Sequence, residues 1–306
     1  MLGTYIHKFV LPNGRQVFVP SVSGRKAGAV VHADIRRRWR PPYYFYHLRS
    51  GGHVAALKAH LHNRCFATLD ISGFFDSVTR SKICRALRSI GIAHRKAWDI
   101  AQESTVEKMQ RSRDFSLPYG FIQSPVLASL ALDRSALGSA MKVLARSNHT
   151  WLGCYVDDVI LSGIEEEAVE SGRSTLIDAA HRSGFAIDLA KSQSPGREIT
   201  AFNVVLSNGE IAITNDRMHQ FESDLLRSKL AAAAAMIAYV RSVNRSQADR
   251  LLEIALTSSD DGVSRSHGSI RVTLNSRVAR MTAGEANAIG HIRLTAAQAR
   301  PATCPP

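Results

Sequence analysis

Nowhere in the 306 residues is there an unbroken apolar run of about 18 or more residues, so the sequence offers no segment suited to crossing a bilayer. The opening MLGTYIHKFVLPNGR lacks the charged start and apolar stretch of a secretion signal and reads as mature protein. Cysteine is scarce: Cys65, Cys84, Cys154 and Cys304. None pairs as C-x-x-C and none stands near a histidine at zinc-finger spacing, which points to free thiols in a reducing cytoplasm. No internal repeat is visible. Acid is nearly missing from the first fifth of the chain, where Asp34 stands alone among residues 1–64.

Against that one acid stand eleven cations: Lys8, Arg15, Arg25, Lys26, Arg36, Arg37, Arg38, Arg40, Arg49, Lys58 and Arg64. The segment thus carries +10 of the chain's +13. Charge this concentrated attracts polyanions, because each neutralised phosphate releases condensed counterions. The bland alternative is a solvated basic surface. Pro12, Pro20, Pro41 and Pro42 interrupt the segment and no clean amphipathic period runs through it, which argues against a membrane-surface helix. With 45% hydrophobic and 21% charged residues, the composition is globular and the chain long enough for two or three subdomains.

Local patterning predicts short strands with a glycine turn over 14–33, a helix over 52–63, and a buried strand at CFATLDI, 65–71. Helices are expected at 79–91, 93–112 and 124–145, the last with Pro125 in its first turn. WLGCYV and VILSG, 151–156 and 159–163, read as a hairpin with Asp157 and Asp158 at its tip. A helix over 165–183 starts on three glutamates, as the helix dipole favours. FAIDLA and AFNVVL read as strands, and Asn208-Gly209 as a hairpin turn. Beyond Asn215 the pattern is helical, ending in a frayed tail. This order implies a central antiparallel sheet with helices behind it.

Three acids fall where strands end or turn: Asp70, Asp157 and Asp158. Converging carboxylates repel one another, and a hard divalent cation relieves the repulsion. Two such ions, roughly 4 Å apart, suit phosphoryl transfer to a 3′-hydroxyl. Taken alone, an Asp-Asp pair is more often simply a good turn.

In order along the chain, Asp70-Ile71-Ser72-Gly73-Phe74-Phe75, Leu117-Pro118-Tyr119-Gly120-Phe121-Ile122-Gln123-Ser124-Pro125, Tyr155-Val156-Asp157-Asp158 and Gly184–Lys191 resemble the palm motifs of reverse transcriptases. Ala201–Leu206 lies where their primer-grip hairpin belongs. The resemblance covers roughly residues 14–214. It implies an α+β right-hand polymerase with fingers (1–64 and 81–123), an antiparallel-sheet palm (65–80 and 124–214) and a helical thumb with its tail (215–306).

The resemblance also implies roles. Asp70, the backbone of Ile71, Asp157 and Asp158 would hold two Mg2+ ions, with Mn2+ as an alternative. Lys191 would act near the pyrophosphate. Gly73, Phe74, Tyr119 and Gly120 would line the nucleotide site, and Phe75 would exclude a ribose 2′-hydroxyl. Arg25 and Lys26, on the expected hairpin, would grip the triphosphate. Arg36, Arg37, Arg38, Arg49, His53, Lys58 and Tyr155 would contact nucleic acid, the stretch 43–62 interleaving aromatics, cations and histidines. His53, His60 and His62 have no cysteine or acidic partner nearby, which weighs against zinc.

Tyr119 stands where the family carries glutamine, and Phe121-Ile122-Gln123 replace its usual small residues. No clear N-A-x-x-H or V-T-G element of retron type is present; Ile199-Thr200-Ala201 is a loose echo. Beyond the expected thumb there is no room for an RNase H, integrase or maturase domain. Together with the HLRSGGH stretch, this tilts the resemblance to compact bacterial enzymes of the defence-associated or retron-like kind. That kinship implies an RNA template and DNA product, a companion non-coding RNA or second polymerase, and no membrane. Untemplated or protein-primed synthesis shares the same metal site. An RNA-dependent RNA polymerase usually has Gly before the aspartate pair, where this chain has Val156. A non-catalytic nucleic-acid-binding scaffold is the remaining alternative.

Overall fold

The computed structural model describes residues 4–12, 14–108 and 114–257. The helix expected over 93–112 ends already at Glu103, with Val106–Glu107 in a short strand; its expected residues 109–112, and the expected thumb beyond Thr257 with its tail, lie outside the described residues.

At the centre is strand β3 (Cys65–Ser72), buried over almost its whole length, as its near-continuous apolar sequence requires. It pairs antiparallel with β7 (Asp158–Gly163) on one side and β8 (Ala186–Gly196) on the other. The hairpin partner β6 (Thr150–Tyr155) completes the order β6-β7-β3-β8. Helix α8 (Glu166–Arg182) packs on this sheet through Val169, Leu176 and Ala179, with glutamates in its first turn and His181 and Arg182 in its last.

A β1–β2 hairpin (Tyr5–Val10, Gln16–Pro20) opens the chain and leads into α1 (Val22–Arg38). Of the two strands expected over 14–33, the first is β2, and the second, AVVHADI, is not formed. Instead Ser21 caps a helix, accepting from the Gly24 N–H at 3.0 Å, and Gly28, Val31 and Ile35 bury one face at helical spacing. Helix α2 is shorter than expected, Gly52–Lys58. A one-turn α3 (Phe74–Ser77) follows β3, then α4 (Arg80–Ser89), α5 (His94–Glu103) and a small β4–β5 pair (Val106–Glu107, Phe115–Ser116). The helix expected over 124–145 is two, α6 (Ser124–Asp133) and α7 (Ala136–Ala145). Ser135 accepts from the Gly138 N–H at 3.1 Å and so starts a new helix in mid-run.

AFNVVL likewise divides. Phe202 and Asn203 take positive φ as the two-residue turn between β9 (Glu198–Ala201) and β10 (Val204–Ser207). Asn208-Gly209 turns β10 into β11 (Glu210–Ile213), as expected. Helices α9 (Asn215–Leu226), α10 (Leu230–Val243) and α11 (Arg245–Thr257) complete the described chain.

Two apolar cores result. One joins α1, the four-stranded sheet and α4–α8. The other joins β9–β11 and α9–α11 to Val54 and Leu57 of α2 and to Phe66 and Ile160 of the sheet. Among the described residues no helix is long and apolar enough to cross a membrane. The body is α+β, with helices packed on antiparallel sheet.

Candidate active site

Asp70 lies near the end of β3, half-buried between buried Leu69 and Ile71, and is flanked by acids on both neighbouring strands. Its Cα partner on β7 is Asp158 and on β8 is Asp188. Asp157 stands in the β6–β7 turn, where its carbonyl accepts from the Ile71 N–H at 2.9 Å. This bond ties the turn to the strand that carries Asp70. All three carboxyls are pushed up in pKa, first by burial; Asp188 adds to the rise of Asp70, Asp70 to that of Asp157, and Asp157 and Asp70 to that of Asp158, which stands well above the ordinary range. For Asp70 the burial effect is opposed by Lys191.

Among the described residues, no three His, Cys, Asp or Glu side chains are already drawn together as a metal cage. The chemistry of the donor set nonetheless fits a hard divalent ion: all-oxygen carboxylates on adjacent strand ends, mutually repelling, with the Asp70 side chain only 17% exposed. Asp70, Asp157 and Asp158 are the residues that could hold it.

Lys191 reaches this group because β8 is irregular. Asp70 pairs with Asp188 but Thr68 with Gln193, so extra residues bulge out between the two pairs. The Asp188 carboxylate accepts from the Ala190 and Lys191 N–H groups, and Ser192 Oγ accepts from the Asp70 N–H at 3.1 Å. The bulge leaves Lys191 Nζ 3.1 Å from Asp188 and 3.9 Å from Asp70.

The turn itself is strained. Val156 lies at φ 61°, a left-handed conformation that costs a β-branched residue about 1–3 kcal/mol. Its N–H donates to His47 Nδ1 at 2.9 Å. Burial lowers His47 to about 4, so the ring is neutral. Tyr155 is packed among His47, His53 and Phe202 at centroid distances of 5.9, 5.8 and 5.3 Å.

On the other side of Asp70, the Leu117–Gly120 turn docks on β2. The Phe18 N–H donates to the Tyr119 carbonyl at 2.8 Å. Gly120 has φ 102° and a Cβ there would stand 2.2 Å from the Phe18 carbonyl oxygen, so glycine is required twice over. Phe75 lies 4.8 Å from the Tyr119 ring, while Phe74 packs on Phe75 and Phe185 in the core. Burial pushes Tyr119 up to about 12, keeping a neutral phenol. A cavity of about 400 Å³ opens here, lined by Arg15, Phe18, Asp76, Lys108, Pro118 and Tyr119.

Several expected positions differ. Arg25 and Lys26 are not on a hairpin but in the first turn of α1, because the Ser21 cap starts the helix there; Arg25 donates to the Pro20 carbonyl at 3.3 Å. The hairpin cation beside the carboxylates is Arg15. Its guanidinium lies 5.3 Å from the Tyr119 ring centre, and its charge opposes the rise of Asp70, Asp157 and Asp158. Asn13-Gly14 just before it is a hairpin signal of the same kind as Asn208-Gly209. His53, expected on a nucleic-acid surface, is buried and 3.1 Å from the Tyr239 hydroxyl. Its apolar helix neighbours Val54 and Leu57 draw that face inward. Arg37 and Arg38 pair with buried Asp34 at 3.3 and 3.0 Å and remain partly exposed. Arg36 and Lys58 are exposed, and Arg49 lies against the Tyr46 ring and donates to the Tyr43 carbonyl. Asp188, Ser192, Asp76 and His47 were not anticipated. Asp188 could have been found as the acid three residues before Lys191.

The family model for reverse transcriptase (RNA-dependent DNA polymerase) matches residues 6–200. No curated protein sequence matches the chain. In fold, the chain is similar to telomerase from Candida albicans, solved with a TWJ fragment of telomeric RNA, at TM-score 0.51 and 9% identity over 90% of this chain and 61% of that one. Apo telomerase from Candida tropicalis gives 0.50 at 10% identity, over 98% of this chain and 67% of that one. The foamy viral protease-reverse transcriptase in complex with double-stranded DNA gives 0.48 at 15% identity, over 90% and 43%. The chain therefore spans well under two thirds of the foamy viral protein and 61% of the Candida albicans one.

Proposed function

The chain belongs to the reverse transcriptase family of nucleotidyltransferase polymerases, and on that footing we propose that it is an RNA-directed DNA polymerase adding dNTPs at the Asp70–Asp157–Asp158 centre. The observation that carries the reading is the pairing of Asp70 with Asp158 across adjacent strands, with Asp157 tied to Ile71 at the turn between them. Such a cluster is costly in a metal-free protein and becomes favourable beside Mg2+ or Mn2+. When bound, two ions would lower the pKa of the attacking 3′-hydroxyl and neutralise charge on the leaving pyrophosphate.

The chain's own groups take the remaining roles. Asp70 and Asp157, with the Ile71 carbonyl, are the main ligands, and Asp158 completes the site. Lys191, kept protonated by Asp188, supplies charge or a proton to the pyrophosphate oxygens. Arg15 takes the triphosphate-gripping role in place of Arg25 and Lys26. Gly73 and Phe74 offer backbone N–H groups. Phe75, held against Tyr119, closes the space a ribose 2′-hydroxyl would occupy. Arg36, Arg37, Arg38, Arg49 and Lys58 supply phosphate contacts for an RNA template and DNA product, and Tyr155 supports the primer end.

We divide the hand as fingers 1–64 and 81–123, palm 65–80 and 124–214, and thumb from 215. The departures at Tyr119 and Phe121-Ile122-Gln123, with the His47–His53 stretch, support a bacterial defence-associated or retron-like type. That type would act in the cytoplasm with a companion non-coding RNA or second polymerase. Tyr119 in place of glutamine favours a second reading, untemplated or protein-primed DNA synthesis on the same centre.

The test is nucleotide incorporation with Mg2+, each dNTP and rNTP supplied separately, with and without co-purified RNA. Loss of dNTP incorporation in an Asp157→Ala, Asp158→Ala protein supports the polymerase. Dependence on RNA separates templated from untemplated synthesis. Folded wild-type protein that incorporates nothing with its RNA retained would favour a non-catalytic nucleic-acid-binding scaffold.

A further inference from the structure

We infer that His47 is a positioning residue, holding the strained Val156 turn and through it the carboxylates of Asp157 and Asp158. This rests on the reading of those carboxylates as the metal centre.

The chemistry of its partners assigns the hydrogen-bond directions around His47. The Val156 N–H can only donate, so Nδ1 is the acceptor at 2.9 Å. Ser129 Oγ spends its proton on the Pro125 carbonyl at 2.7 Å, so it accepts from His47 Nε2–H at 2.6 Å. The relay runs from the turn, through the imidazole, to the first turn of α6. That helix begins at Ser124-Pro125, directly after the Leu117–Gln123 segment, and Ser124 Oγ donates back to the Pro118 carbonyl at 2.8 Å. His47 therefore links the turn bearing the carboxylates to the helix bearing the nucleotide-pocket turn.

The ring cannot easily move. Phe45 and Tyr155 pack on it at 5.7 and 5.9 Å, and the Cys154 N–H donates to the Tyr44 carbonyl at 2.8 Å, fastening this segment to the edge of β6. A valine at φ 61° persists only where its surroundings over-determine it. The His47 acceptor supplies that constraint at the one backbone N–H between Tyr155 and Asp157.

The test compares His47→Ala, His47→Asn and His47→Gln. Asparagine places an oxygen near the Nδ1 position and keeps the bond to the turn; glutamine keeps the reach to Ser129 and loses that acceptor. Two readouts are taken at equal folded fraction, checked by thermal melting: kcat against dNTP KM at varied Mg2+, and Mn2+ binding followed by the free-ion EPR signal. Losing a group that orients metal ligands costs about 10- to 100-fold in metal affinity or activity. His47→Ala and His47→Gln should show that loss in kcat and in Mn2+ affinity, with dNTP KM little changed, and His47→Asn should recover most of it. Adding Val156→Gly to His47→Ala should also restore function relative to His47→Ala alone, because glycine adopts positive φ without strain.

Equal activity and Mn2+ affinity in Asn, Gln and wild type would overturn the assignment, as would no gain from glycine in the alanine background. If wild type binds Mn2+ but polymerises nothing, and His47→Gln weakens that binding, the polymerase reading fails while the positioning role stands. If wild type polymerises and His47→Gln is unimpaired, the polymerase stands and the positioning role fails.

Discussion

The guanidinium of Arg15 lies 5.3 Å from the centre of the Tyr119 ring, joining the tip of the first hairpin to the turn that carries the nucleotide pocket. Three carboxylates of the candidate centre feel the same charge. Arg15→Ala should raise dNTP KM about tenfold or more, the loss expected for charge-assisted bonds to phosphate. Arg25→Ala, in the first turn of α1, should leave KM near wild type. Steady-state kinetics on the two variants check this; a reversed order would return the triphosphate role to Arg25.

Asp158→Asn should abolish incorporation and at the same time stabilise the metal-free protein. Burial, then Asp157, then Asp70 raise this carboxyl. A raised folded-state pKa means that the stabilising protonated form is lost as pH rises, so at neutral pH the ionised group opposes folding. An amide removes that opposition. Melting in EDTA should show a higher Tm for the variant, by roughly 2–4 °C per kcal/mol recovered. Added Mg2+ should narrow the difference.

Phe75→Val should relax sugar discrimination. The ring is buried against Tyr119, and shortening it opens space beside the incoming sugar. The ratio of rNTP to dNTP kcat/KM should rise about tenfold or more, within the range that pocket sterics can supply. An unchanged ratio would show that Phe75 only packs.

Stability should fall in acid in two stages. His47 and His60 are buried, and burial lowers them from 6.5 to about 4 and about 3. Each is neutral in the fold but protonates in the unfolded chain, so stability is lost as pH falls from about 6.5 toward those values. Asp34 behaves differently. Hydrogen bonds from Lys96 and Arg38 lower it from 3.8 to about 2, so its contribution is present above 3.8 and lost as pH falls through about 2. Tm measured from pH 7 to 4 should drop, and His60→Gln should flatten that slope; Asp34→Asn should lower Tm at pH 7 without flattening it.

The metal-centre candidates were legible because they sit at the ends of short, strongly apolar runs. CFATL before Asp70 and the two strands around Asp157-Asp158 leave those acids few other places to be. The glycine of Leu117–Gly120 was legible for a related reason: positive φ and a close approach to Phe18 admit nothing larger. Helix α1 was misread because Val30, Val31 and Pro20 resemble strand and turn, while its start depends on the single Ser21 cap.

What the sequence by itself determined was the set of local periods and the order of motifs, since burial of apolar residues at spacing two or 3.6 is a local constraint. Only the tertiary structure decided the contacts between distant segments. The bulge that brings Lys191 to Asp70 arises from mismatched pairing with β3. Arg15 meets Tyr119 only because the Tyr119 turn docks on β2. His47 meets Val156, 109 residues later, only because its segment lies along β6. No spacing encodes such contacts; they exist only once the two cores have formed and excluded the alternatives.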